Sequence, residues 1–264
     1  MPPTDMIFPN QRRLANNVVS RPTLAFCALL LLGCDDGAES ARRKQLLFLI
    51  DVSMSVADTS LMREYQRAFH QIVDIPPAGG GALELDDPVF VAFVNDAPTR
   101  LVSLPFSYDP PPFRPMEQNK LVVGKARAEA MDSAARLIAS SRRAPRTNLV
   151  ESLALVSRAL TRSDRERVVV IFSDMVEDSQ LASFEKADLS PSAVDNLVKR
   201  IREAGVVPDL HQAEVWVVGS SVGASSMSSS RAAAIRRFWE NLLTASNAKL
   251  DANWYSSEPS KIAR

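Results

Sequence analysis

Five consecutive apolar residues, Leu46 to Ile50, run directly into a carboxylate and two spaced hydroxyls, Asp51, Ser53 and Ser55. A strand with one wet face alternates apolar and polar side chains, so an unbroken apolar run ending in a polar turn predicts a strand covered on both faces. Strands of that kind build parallel sheets with helices on either side, and the crevice at their carboxyl ends is where ligands sit. Asp51, Ser53 and Ser55 would then project together into one site. An Asp/Ser turn that merely closes a strand accounts for the same three residues, so the downstream chain has to decide. It supplies the same device again: Val168-Val169-Val170-Ile171-Phe172 runs into Ser173-Asp174.

Between and after these runs, strand and helix signals alternate. The spacing of Leu61, Met62, Tyr65, Phe69, Ile72 and Val73 predicts an amphipathic helix over 59–75, capped by Thr59 or Ser60. A second strand is expected over 87–95, and a third over 101–106 that pairs back as an antiparallel edge. Four prolines, Pro110, Pro111, Pro112 and Pro115, favour an extended loop. Helices are expected over 117–140, from Thr147 through Leu160, over 191–204 and over 231–245. Strands are expected over 213–219 and, last and short, over 252–255. This order predicts a three-layer, Rossmann-like α/β fold: a mainly parallel central sheet, one antiparallel edge strand and helices on both faces. One domain would cover 45–257, followed by a tail over 258–264.

Charge excludes some functions. Lys plus Arg and Asp plus Glu number 31 each, so no overall field favours nucleic acid, and specificity must come from a local site. Two histidines and two cysteines cannot form a Cys/His zinc cluster, and both cysteines lie in one amino-terminal stretch. A serine hydrolase would need His70 or His211 as its base, and both read as ordinary packed or solvated residues.

That amino-terminal stretch places Arg12, Arg13 and Arg21 before an apolar core, Thr23 to Gly33, that ends at Cys34-Asp35-Asp36. A positive flank, a short apolar core and a small residue at the break describe an export signal, too short to span a bilayer as a helix. Leu31-Leu32-Gly33-Cys34 resembles the lipobox of bacterial lipoproteins. The resemblance implies a signal peptide over 1–33 and lipid attachment at Cys34, with a lipidated tether over 34–44 that includes Arg42, Arg43 and Lys44. Cys34 would be the membrane anchor and Cys27 would be discarded. Asp35 after the modified cysteine implies the periplasmic face of the inner membrane in the cell envelope. An uncleaved apolar stretch, or a plain signal with a chance cysteine, is the competing account, and translation from Met6 stays open.

Asp51, Ser53 and Ser55 after the first strand, Thr147 at a helix start and Asp174 after another strand together resemble the metal-ion-dependent adhesion site of von Willebrand factor type A domains. The likeness spans about 44–256, with all five positions in order. Met54 and Met175 stand where that family often has glycine, so tighter loops are expected there. Two carboxylates and three hydroxyls are hard oxygen donors, suited to Mg²⁺ or Mn²⁺ rather than zinc. The resemblance implies a protein partner whose acidic residue completes the coordination. Two other classes compete. A structural envelope lipoprotein would make contacts that need no metal. A haloacid-dehalogenase-type phosphatase also places an aspartate after a hydrophobic strand, but it needs a second carboxylate two residues on, where this chain has Ser53. Glu177 and Asp178 either shape the rim of the site or cap the next turn.

Overall fold

The computed structural model describes residues 43–53, 59–74, 87–94, 96, 106–109, 117–141, 143–160, 165–220, 227–255, 259 and 262. All belong to a unit spanning Ala41–Arg264. The signal segment, Cys34 and Ser55 lie outside the described residues. The elements in chain order are β1 (Lys44–Asp51), α1 (Thr59–Val73), β2 (Val89–Val94), β3 (Phe106–Tyr108), α2 (Glu117–Ala139), α3 (Leu149–Ala159), β4 (Glu166–Phe172), α4 (Pro191–Glu203), β5 (Glu214–Val218) and α5 (Ser229–Ala245).

The strands form one sheet in the order β3-β2-β1-β4-β5. β1 runs parallel to both β2 and β4, and β4 runs parallel to β5. Among the described strands only β3 is antiparallel, against β2. Every residue of β1 is buried, as the unbroken apolar run requires of a central strand. Alternate side chains then divide between two cores. Leu46, Phe48 and Ile50 join Val168, Val170 and Phe172 under α1 and α2, where Phe48 meets Phe69 edge-on at 4.7 Å. Leu47 and Leu49 join Val169, Ile171, Val215 and Val217 under α3, α4 and α5. The result is the expected three-layer α/β arrangement, with helices on both faces of a mainly parallel sheet.

Strand order also fixes where a ligand can reach. The chain leaves β1 for β2 and β3 on one side, then crosses to β4 and β5 on the other. Neighbouring connections therefore diverge at the carboxyl ends of β1 and β4, the place where open α/β sheets bind their ligands.

Three expectations are corrected. Lys44, assigned to the tether, is the first residue of β1, buried, with its backbone N–H donating to Asp87 Oδ1 at 2.8 Å. The antiparallel edge is Phe106–Tyr108; of the predicted 101–106 only Phe106 belongs to it, and 101–105 lie outside the described residues. The stretch 252–255 is not a strand. Trp254 accepts one bond, from Val217 N–H at 2.7 Å, while the bridge to β5 falls at Lys249. A single carbonyl contact beside a turn cannot propagate a ladder, and the Trp254 side chain is buried for packing instead.

Candidate metal centre at the carboxyl edge

Asp51 ends β1 and is fully buried. Its Oδ1 accepts the Ser53 N–H at 2.8 Å and its Oδ2 accepts the Ser173 hydroxyl at 2.7 Å. Burial pushes the carboxyl above its ordinary range, opposed by the Ser173 hydroxyl and by the amide and hydroxyl of Ser53. All three donors are neutral, so they orient the carboxylate without cancelling its charge. Three donors leave part of the carboxylate's acceptor capacity for another partner.

Backbone bonds sew the three site loops together. Ser53 pairs with Ala144 in an isolated parallel bridge, in which Ala144 N–H donates to Val52 O at 2.9 Å. Three residues on is Thr147, buried, whose carbonyl accepts the Asp178 N–H at 2.9 Å. Asp178 in turn lies four residues past Asp174. These bonds bring together, at one edge of the sheet, the loops that carry Asp51, Ser53, Thr147 and Asp174, and all four residues are buried. Asn148, not Thr147, caps α3, its side chain accepting from Glu151 N–H, so the cap does not draw on the Thr147 hydroxyl.

The turn after β4 is tight, as the residue at position 175 implies. Met175 adopts φ 64°, a left-handed conformation that normally favours glycine. Its N–H donates to Ser173 Oγ at 2.9 Å, its carbonyl accepts from Trp239 Nε1 at 2.8 Å, and its side chain is fully buried. These contacts hold a conformation that costs about 1–2 kcal/mol by itself. Asp174 is fixed by the following Val176 N–H, which donates to its Oδ1 at 3.0 Å.

Sequence reasoning gave Ser173 and Tyr65 no role here and left Glu177 between the rim of the site and a local cap. Ser173 orients Asp51, and its signal was a hydroxyl at a strand end, the same signal that marked Ser53. Glu177 does cap a helix start, but one that lies 28 positions earlier in the chain: its Oε2 accepts Leu149 N–H at 2.8 Å and Val150 N–H at 3.4 Å. Among the described residues its other oxygen, Oε1, has no hydrogen-bond partner, and burial pushes the carboxyl up to about 8, opposed by hydrogen bonds from Ser179, Leu149 and Val150, with Asp51 adding repulsion. Tyr65 of α1 is the third. Burial raises its phenol, as do the charges of Asp51 and Asp174. Tyr255, pushed up to about 12 chiefly by burial, also senses Asp174. Acids at this edge therefore add to the effect of burial on their neighbours.

The donor chemistry fits a hard divalent ion: buried carboxylates oriented by neutral donors, beside serine and threonine side chains. Among the described residues no group of three or more His, Cys, Asp or Glu side chains is placed to hold a metal ion, a pattern different from two carboxylates plus hydroxyls. His70 instead bonds Asp74 at 2.8 Å, and His211 lies 3.3 Å from Asp209 in a turn. Among the described residues no helix is long and apolar enough to cross a membrane.

Fold and edge chemistry together define an α/β domain with a buried acidic site at its topological switch point. No family model matches the sequence, and no curated protein matches it. Among solved structures the chain is similar to the human COPII-coat protein Sec24c, with a TM-score of 0.39 and 16% identity over 83% of this chain and 30% of that one. It is similar to the manganese-loaded TRAP protein of Plasmodium vivax, with a TM-score of 0.36 and 12% identity over 75% of this chain and 73% of that one. For the three N-terminal domains of the type V pili tip protein Mfa5 from Porphyromonas gingivalis the TM-score is 0.34, with 9% identity over 63% of this chain and 27% of that one. The chain spans less than a third of the Sec24c and Mfa5 chains. These likenesses are distant, and the fold assignment rests on the strand order and pairing.

Proposed function

We propose that the carboxyl edge of the sheet binds a divalent cation, Mg²⁺ or Mn²⁺, through Asp51, Ser53, Ser55, Thr147 and Asp174, and that an acidic residue of a protein partner completes its coordination. One observation carries this: a fully buried Asp51 whose donors among the described residues are neutral, tied by backbone bonds to the loops that bear Thr147 and Asp174. A buried ionised carboxylate is costly unless paired or metal-bound. Ser55 enters through its spacing in the sequence. When bound, the cation would supply an electrophilic position open to an incoming carboxylate. The chain's own part is to orient Asp51 through Ser173 and Ser53, to hold Asp174 through the Val176 amide, and to screen the site from water with the buried face of α1. Recognition is preferred here over a phosphatase of the aspartate-nucleophile type because Ser53 stands where that type carries its acid.

The amino-terminal pattern completes the proposal: a lipid on Cys34 tethers the domain at the periplasmic face of the envelope, where it meets its partner. Affinity capture from a membrane fraction, in Mg²⁺ and in EDTA, with wild type and Asp51→Ala, tests the metal-dependent contact. A partner held in Mg²⁺, released by EDTA and missed by the variant is the expected result. A partner retained equally in EDTA would leave a metal-independent structural lipoprotein. Mass spectrometry of the amino-terminal peptide, with Cys34→Ser as control, tests the anchor.

A further inference from the structure

Tyr65 lies on the face of α1 that packs on the sheet, 1% exposed, its ring tilted against Phe172 at 5.1 Å. Its hydroxyl has no hydrogen-bond partner among the described residues. A buried tyrosine normally finds a partner for that group, and phenylalanine would fill the same space without burying a polar atom. The place of the hydroxyl is well defined. It abuts Gly219, where an added Cβ would lie 2.8 Å from the oxygen. Gly219 follows Val218, whose carbonyl accepts the Ser173 N–H at 3.0 Å, so the hydroxyl sits beside the strand ends that carry Ser173 and Asp174. The charges of both Asp51 and Asp174 act on it, and with burial they keep the phenol protonated and able to donate.

We propose that the Tyr65 hydroxyl is a positioning group of the metal centre, donating to an oxygen in the outer coordination shell of the cation held by Asp51 and Asp174, and that Gly219 lacks a side chain to leave it room. This rests on the metal-binding proposal above. A group of this kind orients the shell without touching the ion, and losing one typically weakens metal affinity 10- to 100-fold. Gly219, at φ 93° and against the hydroxyl, then has a use beyond ending a strand.

The test is calorimetric titration of Mn²⁺ into EDTA-stripped wild type and Tyr65→Phe, with melting curves of both in EDTA. The expected result is a variant that melts at or above the wild-type temperature in EDTA and binds Mn²⁺ about 10-fold more weakly. Equal Mn²⁺ affinity would overturn the proposal, whatever the melting temperatures, because a purely structural tyrosine changes stability alone. If wild type itself takes up no Mn²⁺, the metal centre fails and this role of Tyr65 fails with it, an outcome distinct from equal binding.

Discussion

Replacing Glu177 by glutamine isolates the cost of a buried charge beside the site. The carboxyl is fully buried, with Oε2 on the first turn of α3 and Oε1 without a partner among the described residues, and its pKa is raised from 4.5 to about 8. The α3 amides and helix dipole favour the anion by about 0.3–1 kcal/mol, which is smaller than the desolvation of a buried carboxylate. In the folded state the proton is held more tightly than in the unfolded chain, so unfolding releases it between these two values. Wild-type stability should therefore fall as pH rises from 4.5 through 8 and level off above. At about 1.4 kcal/mol per unit the shift caps this loss near about 5 kcal/mol, and rearrangement around the charge brings the expected value to about 2–4 kcal/mol. Glutamine keeps the acceptor for Leu149 and Val150 and cannot ionise. Urea unfolding of both proteins at pH 5, 7 and 8.5, in EDTA, should give near-equal stabilities at pH 5 and a variant more stable by about 2–4 kcal/mol at pH 8.5. Other titrating groups cancel in the difference. A difference that stays constant across this range would refute the buried-charge account.

Two further changes probe the scaffold that holds the site. Gly219→Ala places a Cβ 2.8 Å from the Tyr65 hydroxyl at a backbone φ of 93°, so strain and overpacking together should cost about 2–4 kcal/mol, read as a lower urea midpoint at unchanged slope. Asn148→Ala removes the acceptor for Glu151 N–H at the start of α3, with an expected loss of about 1 kcal/mol; a loss below the error of the measurement would mean that Glu177 alone secures that turn.

What could be read from the sequence follows from how local each signal is. β1 and β4 were legible because a strand covered on both faces leaves a continuous apolar run, and their terminal carboxylates located the switch point. The helices α1 and α4 were legible from apolar spacing, and the structure ends each of them one or two residues short of the expected boundary. α5 starts at Ser229, two residues earlier than its apolar residues suggest, because Ser228 accepts from Arg231 N–H and caps it. The 252–255 stretch misled because an aromatic pair reads as a strand when it packs as a turn, with Trp254 and Tyr255 edge-on at 5.1 Å. For Glu177 the sequence offers the rim of the site or a cap on the next turn and not the cap of α3, because its partners, Leu149 and Val150, are remote in sequence. Spacing assigned Tyr65 to the core correctly, but it carries no information on whether a hydroxyl finds a partner. Ser173 alone could have been found, since it repeats beside Asp174 the hydroxyl-and-carboxylate pairing already noted at Asp51.

The central claim is that Asp51 and its neighbours hold a hard divalent cation. Isothermal titration of Mg²⁺ into EDTA-stripped wild type and Asp51→Ala measures it directly, with urea unfolding confirming that both are folded. Saturable uptake by wild type and none by the variant is the predicted result. Equal uptake by the two proteins, or none by wild type, would contradict it.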